Sequence, residues 1–165
     1  MKVSKIKMVK SKVEEELEIT GVTLLSIEEA EEYLTDEDRK YDYGWWLRTP
    51  GYSTTNATDV GYDGSLHYRG TYVTFSFDCV RPALQIKNLE SSNLEIGDIF
   101  ELSGYEFKII SESLAWMHKQ DIGCYAFNDD CGNGNNYETS DVKRLVDAWF
   151  ERLVETWFEE LKKEK

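Results

Sequence analysis

Basic charge, histidine, cysteine and long apolar runs are all scarce in this 165-residue chain, and each scarcity excludes something. Nineteen Lys and Arg stand against 32 Asp and Glu, a net charge of −13. Such a surface repels nucleic acid, so no direct nucleic-acid partner is expected. No uninterrupted apolar run exceeds five residues, which excludes a bilayer-spanning segment and any membrane partner of that kind. The only histidines, His67 and His118, lie in no nucleophile or metal motif, and there is no P-loop, G-x-G-x-x-G or G-x-S-x-G. The expectation is therefore no enzyme: no catalytic residues, no cofactor and no metal. Three cysteines, Cys79, Cys124 and Cys131, are an odd count. The start "MKVSKIKMVKSKV" is Lys-rich but has neither an apolar h-region nor a small-residue cleavage site. A cytoplasmic or virion-associated protein, not secreted by a signal peptide, follows as the expectation. Reduced thiols go with it, and the sequon at Asn56 then carries no glycan.

What is present points to a folded chain. With 41% hydrophobic and 13% aromatic residues it can bury a core, and residues 1–165 are expected to form one domain. Charge is placed unevenly. Residues 1–13 hold five lysines, whereas residues 14–42 hold twelve acids against Arg39 and Lys40. An acidic stretch of this kind either keeps a surface solvated or attracts a basic protein.

Periodicity gives the elements. In "LLSIEEAEEYL", Ser26 and Glu29 form a capping box and Ile27, Ala30 and Leu34 share a face, so a short helix is expected near 26–34. "TDEDRKYDYG" reads as a charged connector. From Trp45 to Leu84 short strands alternate with turns at Pro50-Gly51, Gly61, Asp63-Gly64 and Arg69-Gly70, and "YVTFSF" alternates like a strand. Residues 85–95 read as a connector, and "IGDIFELSGYEFKII" as a hairpin turning at Ser103-Gly104. After Ser140 as N-cap, apolar residues from Val142 to Leu161 recur at helical spacing, which predicts a helix near 140–163. The fold class is α+β, with an irregular β-rich centre. The helix stripe, if part of it stays uncovered, offers a homodimer seam.

"WWLRTPG" at 45–51, "DVGYDGSLHYRGTYV" in the middle and "VRPAL" at 80–84 resemble an uncharacterised bacterial and phage domain family marked by W-L-R-S-P-G and V-R-P-A-L. The resemblance implies a C-type-lectin-like fold, shared with the formylglycine-generating enzymes and the variable proteins of diversity-generating retroelements. "IGDIFELSGYEFKII" and "YETSDVKRLVDAWF" are similar to segments that come earlier in that family, so the halves 17–86 and 96–158 look circularly permuted. Within the signature, Trp45, Trp46, Arg48 and Arg81 are read as scaffold: at least one tryptophan packs inward, and each arginine meets a buried carbonyl or carboxylate.

If the signature is scaffold, function belongs to what it presents. Of the 27 residues from Tyr52 to Asp78, 17 are Tyr, Ser, Thr, Asn, Asp or His. Tyrosine gives amphipathic contact area at low entropy cost and the small polar residues adapt their hydrogen bonds, as in antibody paratopes. The candidate ligand-binding residues are Asn56, Asp59, Tyr62, Asp63, His67, Tyr68, Tyr72 and Phe75, with Phe77 beside them. Strands also carry Tyr and Thr on outer faces for reasons of propensity alone. "NDDCGNGNNYE" supplies oxygen donors suited to calcium but lacks EF-hand spacing, and reads as a turn-rich loop. Cys124 and Cys131 are the pair that would imitate the copper-holding cysteines of the formylglycine-generating enzymes, though their spacing matches no transferable pattern. The leading expectation is a non-enzymatic recognition domain for a protein or glycan. The alternative is an acidic phage inhibitor that mimics nucleic acid toward a host defence or nucleic-acid-binding protein.

Overall fold

The computed structural model describes residues 17–163 and, before them, the strand backbone at 2–3, 6–8 and 12–13. The strands in chain order are β1 (Lys2–Val3), β2 (Ile6–Met8), β3 (Lys12–Val13), β4 (Leu17–Thr23), β5 (Trp45–Pro50), β6 (Asn56–Val60), β7 (Leu66–Tyr72), β8 (Ala83–Lys87), β9 (Ile99–Leu102), β10 (Tyr105–Ser111) and β11 (Leu114–Met117). The helices are α1 (Ile27–Tyr33), α2 (Asp36–Arg39) and α3 (Asp141–Lys163). The class is α+β, and the chain divides into two units.

The first unit takes in residues 1–22, 83–120 and 147–165. Its sheet runs β1-β4-β8-β11-β10-β9-β2-β3, and the described pairings are antiparallel. The β9–β10 hairpin shows how sequence sets register. Ser103 and Gly104 both have positive φ (50° and 88°), the two-residue turn that matches strand twist. That turn sets Tyr105 opposite Leu102 and Phe107 opposite Phe100, whose rings stack at 5.7 Å. Trp149 of α3 meets Tyr105 at 5.4 Å and Phe107 at 6.4 Å, so the helix covers the face the alternation made apolar. Each such fully buried side chain is worth about 1.5–3 kcal/mol. Ser140 Oγ accepts from the Lys143 amide, as its N-cap role requires.

The second unit takes in residues 23–82 and 121–146. Its sheet is β5-β6-β7, antiparallel, with β6 central. The register shifts between Ala57 and Asp59, and β7 accommodates this at Gly70. Gly70 has φ +84°, and a Cβ there would lie 2.3 Å from the Ala57 carbonyl oxygen, so no other residue fits. Both short helices carry full capping boxes, Ser26 with Glu29 and Thr35 with Asp38.

Three expectations are corrected. "YVTFSF" is not a strand: β7 ends at Tyr72, the Phe75 amide turns back to the Tyr72 carbonyl, and no neighbouring strand pairs with 73–77. Residues 85–87 belong to β8, which extends the VRPAL segment into the first unit's sheet. "TDEDRKYDYG" contains α2, closed by its own capping box. Strand β11, "LAWM", was not anticipated, because all four residues are buried and a run apolar on both faces has no period.

Candidate functional site

"WWLRTPG" forms β5, and both tryptophans are fully buried. The Trp45 indole donates to the Arg39 carbonyl at 3.1 Å and the Trp46 indole to the Tyr125 carbonyl at 2.8 Å. Arg48 binds the Leu24 carbonyl at 2.8 Å and the Glu29 carboxylate, tying the cap of α1 to the strand. Arg81 is buried with its guanidinium 4.2 Å from the centre of the Tyr41 ring and 5.0 Å from that of Trp45. Burial lowers its pKa to about 10, which leaves it a cation at neutral pH. The Tyr41 hydroxyl donates to Asp121, and burial first, then that bond, raise the Tyr41 pKa. Trp45, Trp46 and Arg81 are thus internal, and Arg48 is half-buried at the edge of α1.

The exposed large hydrophobic side chains are mostly aromatic. Of the described large hydrophobic residues left exposed, Tyr33, Tyr43, Tyr52, Tyr62, Tyr68, Tyr72, Phe75, Phe77 and Tyr125 belong to the second unit, and only Ile96 and Phe158 to the first. Tyr52, Tyr62, Tyr72 and Phe77 are each at least two-thirds exposed (74, 71, 67 and 70%). Phe75 and Phe77 meet edge to face at 5.6 Å, and Arg69 lies 5.5 Å over the Tyr52 ring. Tyr68 is hydrogen-bonded through its hydroxyl to Glu31, which raises its pKa. Residues expected on one surface therefore divide by depth. Tyr62, Asp63, His67, Tyr68, Tyr72 and Phe75 are exposed. The Asn56 side chain is held within its own loop, accepting from Ser53 at 2.7 Å and Thr55 at 2.9 Å. Asp59 is 2% exposed and lies beneath the surface.

Asp59 reaches the surface through a relay. Its Oδ1 sits 2.9 Å from His67 Nδ1, and His67 Nε2 sits 3.2 Å from Ser65 Oγ. Below it Asp78, also buried, is hydrogen-bonded to Asp59. Burial, then that bond and the charge of Asp59, push the Asp78 carboxyl far above the usual carboxylate range, so it keeps its proton at neutral pH. Room for it exists because residue 44 is glycine: a Cβ there would lie 2.4 Å from Asp78 Oδ1. The link between Asp59 and His67 was legible. A turn centred on Asp63 pairs residues whose numbers are symmetric about it, and the register sets Asp59 against His67. Asp78 gave no signal, since it lies in no regular element.

Cysteine pairing corrects the expectation of three reduced thiols. Cys79, buried, and Cys124, exposed, form a disulfide across an antiparallel bridge, with the Asp121 carboxylate within 4.8 Å. Cys124 is thus bonded to Cys79 and not to Cys131, which is a free, exposed thiol. In the 128–138 loop the oxygen-bearing side chains close turns. Asn128 donates to the Gly134 carbonyl and accepts from the Asp141 amide, and Asp130 accepts from Gly132. Among the described residues no helix is long and apolar enough to cross a membrane.

The fold class is α+β, and the second unit combines buried polar side chains with nine exposed aromatic ones. A family profile matches residues 5–88, and the chain belongs to that family, described as a domain of unknown function (DUF6273). No curated protein and no solved structure matches the chain.

Proposed function

We propose that the chain is a non-enzymatic recognition domain of bacterial or phage origin, which binds a protein or glycan through the aromatic face of its second unit. The observation that carries this reading is the concentration of nine exposed aromatic residues in that unit. Exposed apolar patches are disfavoured in a solvated monomer unless a partner covers them, and tyrosine suits such a partner because it loses little entropy on binding. Tyr62, Tyr68, Tyr72 and Phe75 are the anchors, with Asp63 and His67 as polar contacts. In this reading the fold is C-type-lectin-like, the W-L-R-[ST]-P-G and V-R-P-A-L segments are its signature, and the halves 17–86 and 96–158 are permuted.

Affinity capture from a bacterial lysate and glycan-array binding, each with the Tyr62/Tyr68/Tyr72→Ala variant beside the parent chain, test it. A partner or glycan retained at high salt and lost in the folded variant supports the aromatic face. Equal retention by the variant ends it.

A second reading has an observation of its own. Glu28, Glu31, Glu32, Asp36 and Glu37 are all exposed on or beside α1 and α2, as a nucleic-acid mimic would need. A basic partner held through them dissociates as salt rises, because surface charge is screened over about 10 Å at 0.1 M.

A further inference from the structure

A cavity of about 680 Å³ opens in the first unit, along the stretch that reads in the sequence as a connector. It lies between the end of β8, the chain from 88 to 96 and the β10–β11 turn at Glu112 and Ser113. Sites for small organic ligands span about 300–1,000 Å³, so the volume is that of a ligand site.

Hydrogen bonds set its walls without help from a ligand. The Ile86 amide donates to the Ser113 carbonyl at 2.9 Å and joins β8 to the turn. The Ser92 hydroxyl donates to the Leu89 carbonyl at 2.6 Å and accepts from the Leu94 amide at 3.1 Å, which curls the chain around the cavity. Asn88, at φ 66°, is held by its side-chain amide, which donates to the Glu18 carboxylate at 3.0 Å. A site framed in this way has little ordering left to do on binding. Its lining divides in two. Ile86, Leu89 and Leu94 are buried and make an apolar floor. Ile96 lines the cavity too, yet it is 58% exposed, one of two large hydrophobic residues that the described part of this unit leaves open. At the edge Glu90, Glu95 and Glu112 are exposed against Lys87 alone, and among the described residues no ion pair engages the three acids.

We infer that this cavity binds a small amphipathic amine, with its alkyl or aryl body on the isoleucine and leucine side chains and its ammonium group among the three carboxylates. An apolar floor under an acidic edge is complementary to a molecule that is apolar at one end and cationic at the other. A carboxylate on the same body meets repulsion at that edge, and a plain hydrocarbon leaves the glutamates without a partner. The chain as a whole is acidic and draws any cation, so the general field has to be separated from the site itself. The proposal rests on the first unit alone and stands or falls apart from the recognition reading.

The test is methyl NMR of the full chain titrated with phenylbutylamine, phenylbutanol and phenylpentanoate, which share one phenylalkyl body and differ in the charge of the head group. The Leu89, Leu94 and Ile96 methyl signals should shift saturably. The amine should bind at least about 10-fold tighter than the carboxylate, with the alcohol between them. Glu90→Gln/Glu95→Gln/Glu112→Gln should weaken the amine about 10-fold and leave the alcohol unchanged, which separates the site from the general field. Ile96→Ala should weaken amine and alcohol alike, by several-fold. These four substitutions all fall at exposed positions, so the fold is kept. A carboxylate bound as tightly as the amine, amine binding undiminished in the triple glutamine variant, or no saturable shift at about 10 millimolar amine overturns the proposal.

Discussion

The two units solve the folding problem differently. The first is built from strand pairs with matching apolar residues and a helix laid against them. Among its described residues Ser111 is the one buried polar residue, beside the buried ring nitrogens of Trp116, His118 and Trp149. The second buries Ser26, Thr58, Asp59, Asp78, Arg81, Asn128 and Ser140, and it carries the disulfide. A polar interior contributes less net stability than an apolar one of equal volume, because each buried group must first lose its water. What it supplies is position: Arg48 ties α1 to β5, and Asp59 aims His67. The unit with the more polar interior is also the one that exposes most of the aromatic side chains.

Substitutions can break or sharpen that contrast. The largest effect belongs to the first unit. Phe107→Ala should cost about 3–5 kcal/mol in denaturant unfolding, since both Phe100 and Trp149 lose their contact. In the second unit, Cys79→Ser with Cys124→Ser should cost about 2–4 kcal/mol by opening a loop of 45 residues. Hydrogen exchange should rise first in residues 23–82 and 121–146, and a uniform rise would dissolve the distinction.

Next comes the buried acid pair. The Asp78 pKa is raised on folding, so the native state holds a proton that the unfolded chain releases above pH ~4. This contribution is fully present below that pH and is lost as pH rises toward the raised native value. The slope approaches about 1.4 kcal/mol per pH unit where the difference is one proton. Asp78→Asn, which keeps a donor for Asp59, should flatten stability between mildly acid and alkaline pH, and an unchanged slope would count against the shared proton. Ser26→Ala should remove about 1 kcal/mol, read as a lower melting temperature. The smallest effect on stability, within about 0.5 kcal/mol each, is expected for Tyr62→Ala and Tyr72→Ala, which should change binding alone.

Local rules carried far in this chain. The Ser26 capping box, the Ser103-Gly104 turn and the Asp141–Lys163 helix each depend on residues within a few positions of one another, so their chemistry is complete in the sequence. The exposure of Tyr62, Tyr68 and Tyr72 was legible too, because a Tyr- and Ser-rich stretch between turn signals has few ways to bury itself. The reading failed where local pattern needs a distant partner. "YVTFSF" alternates but finds no neighbouring strand, and "LAWM" has no period yet becomes β11 because β8 and β10 flank it.

Composition, capping, turn chemistry and helical spacing were settled by the sequence itself: an acidic α+β chain with Tyr-rich strands and a long last helix. Tertiary structure alone decided that Cys79 meets Cys124 and not Cys131, that both tryptophans turn inward, and that Asp78 is buried beside Asp59. Those outcomes join residues from 19 to 79 positions apart. At such separations only the packed fold chooses which groups meet, because desolvation leaves each buried polar group the partner that geometry brings to it.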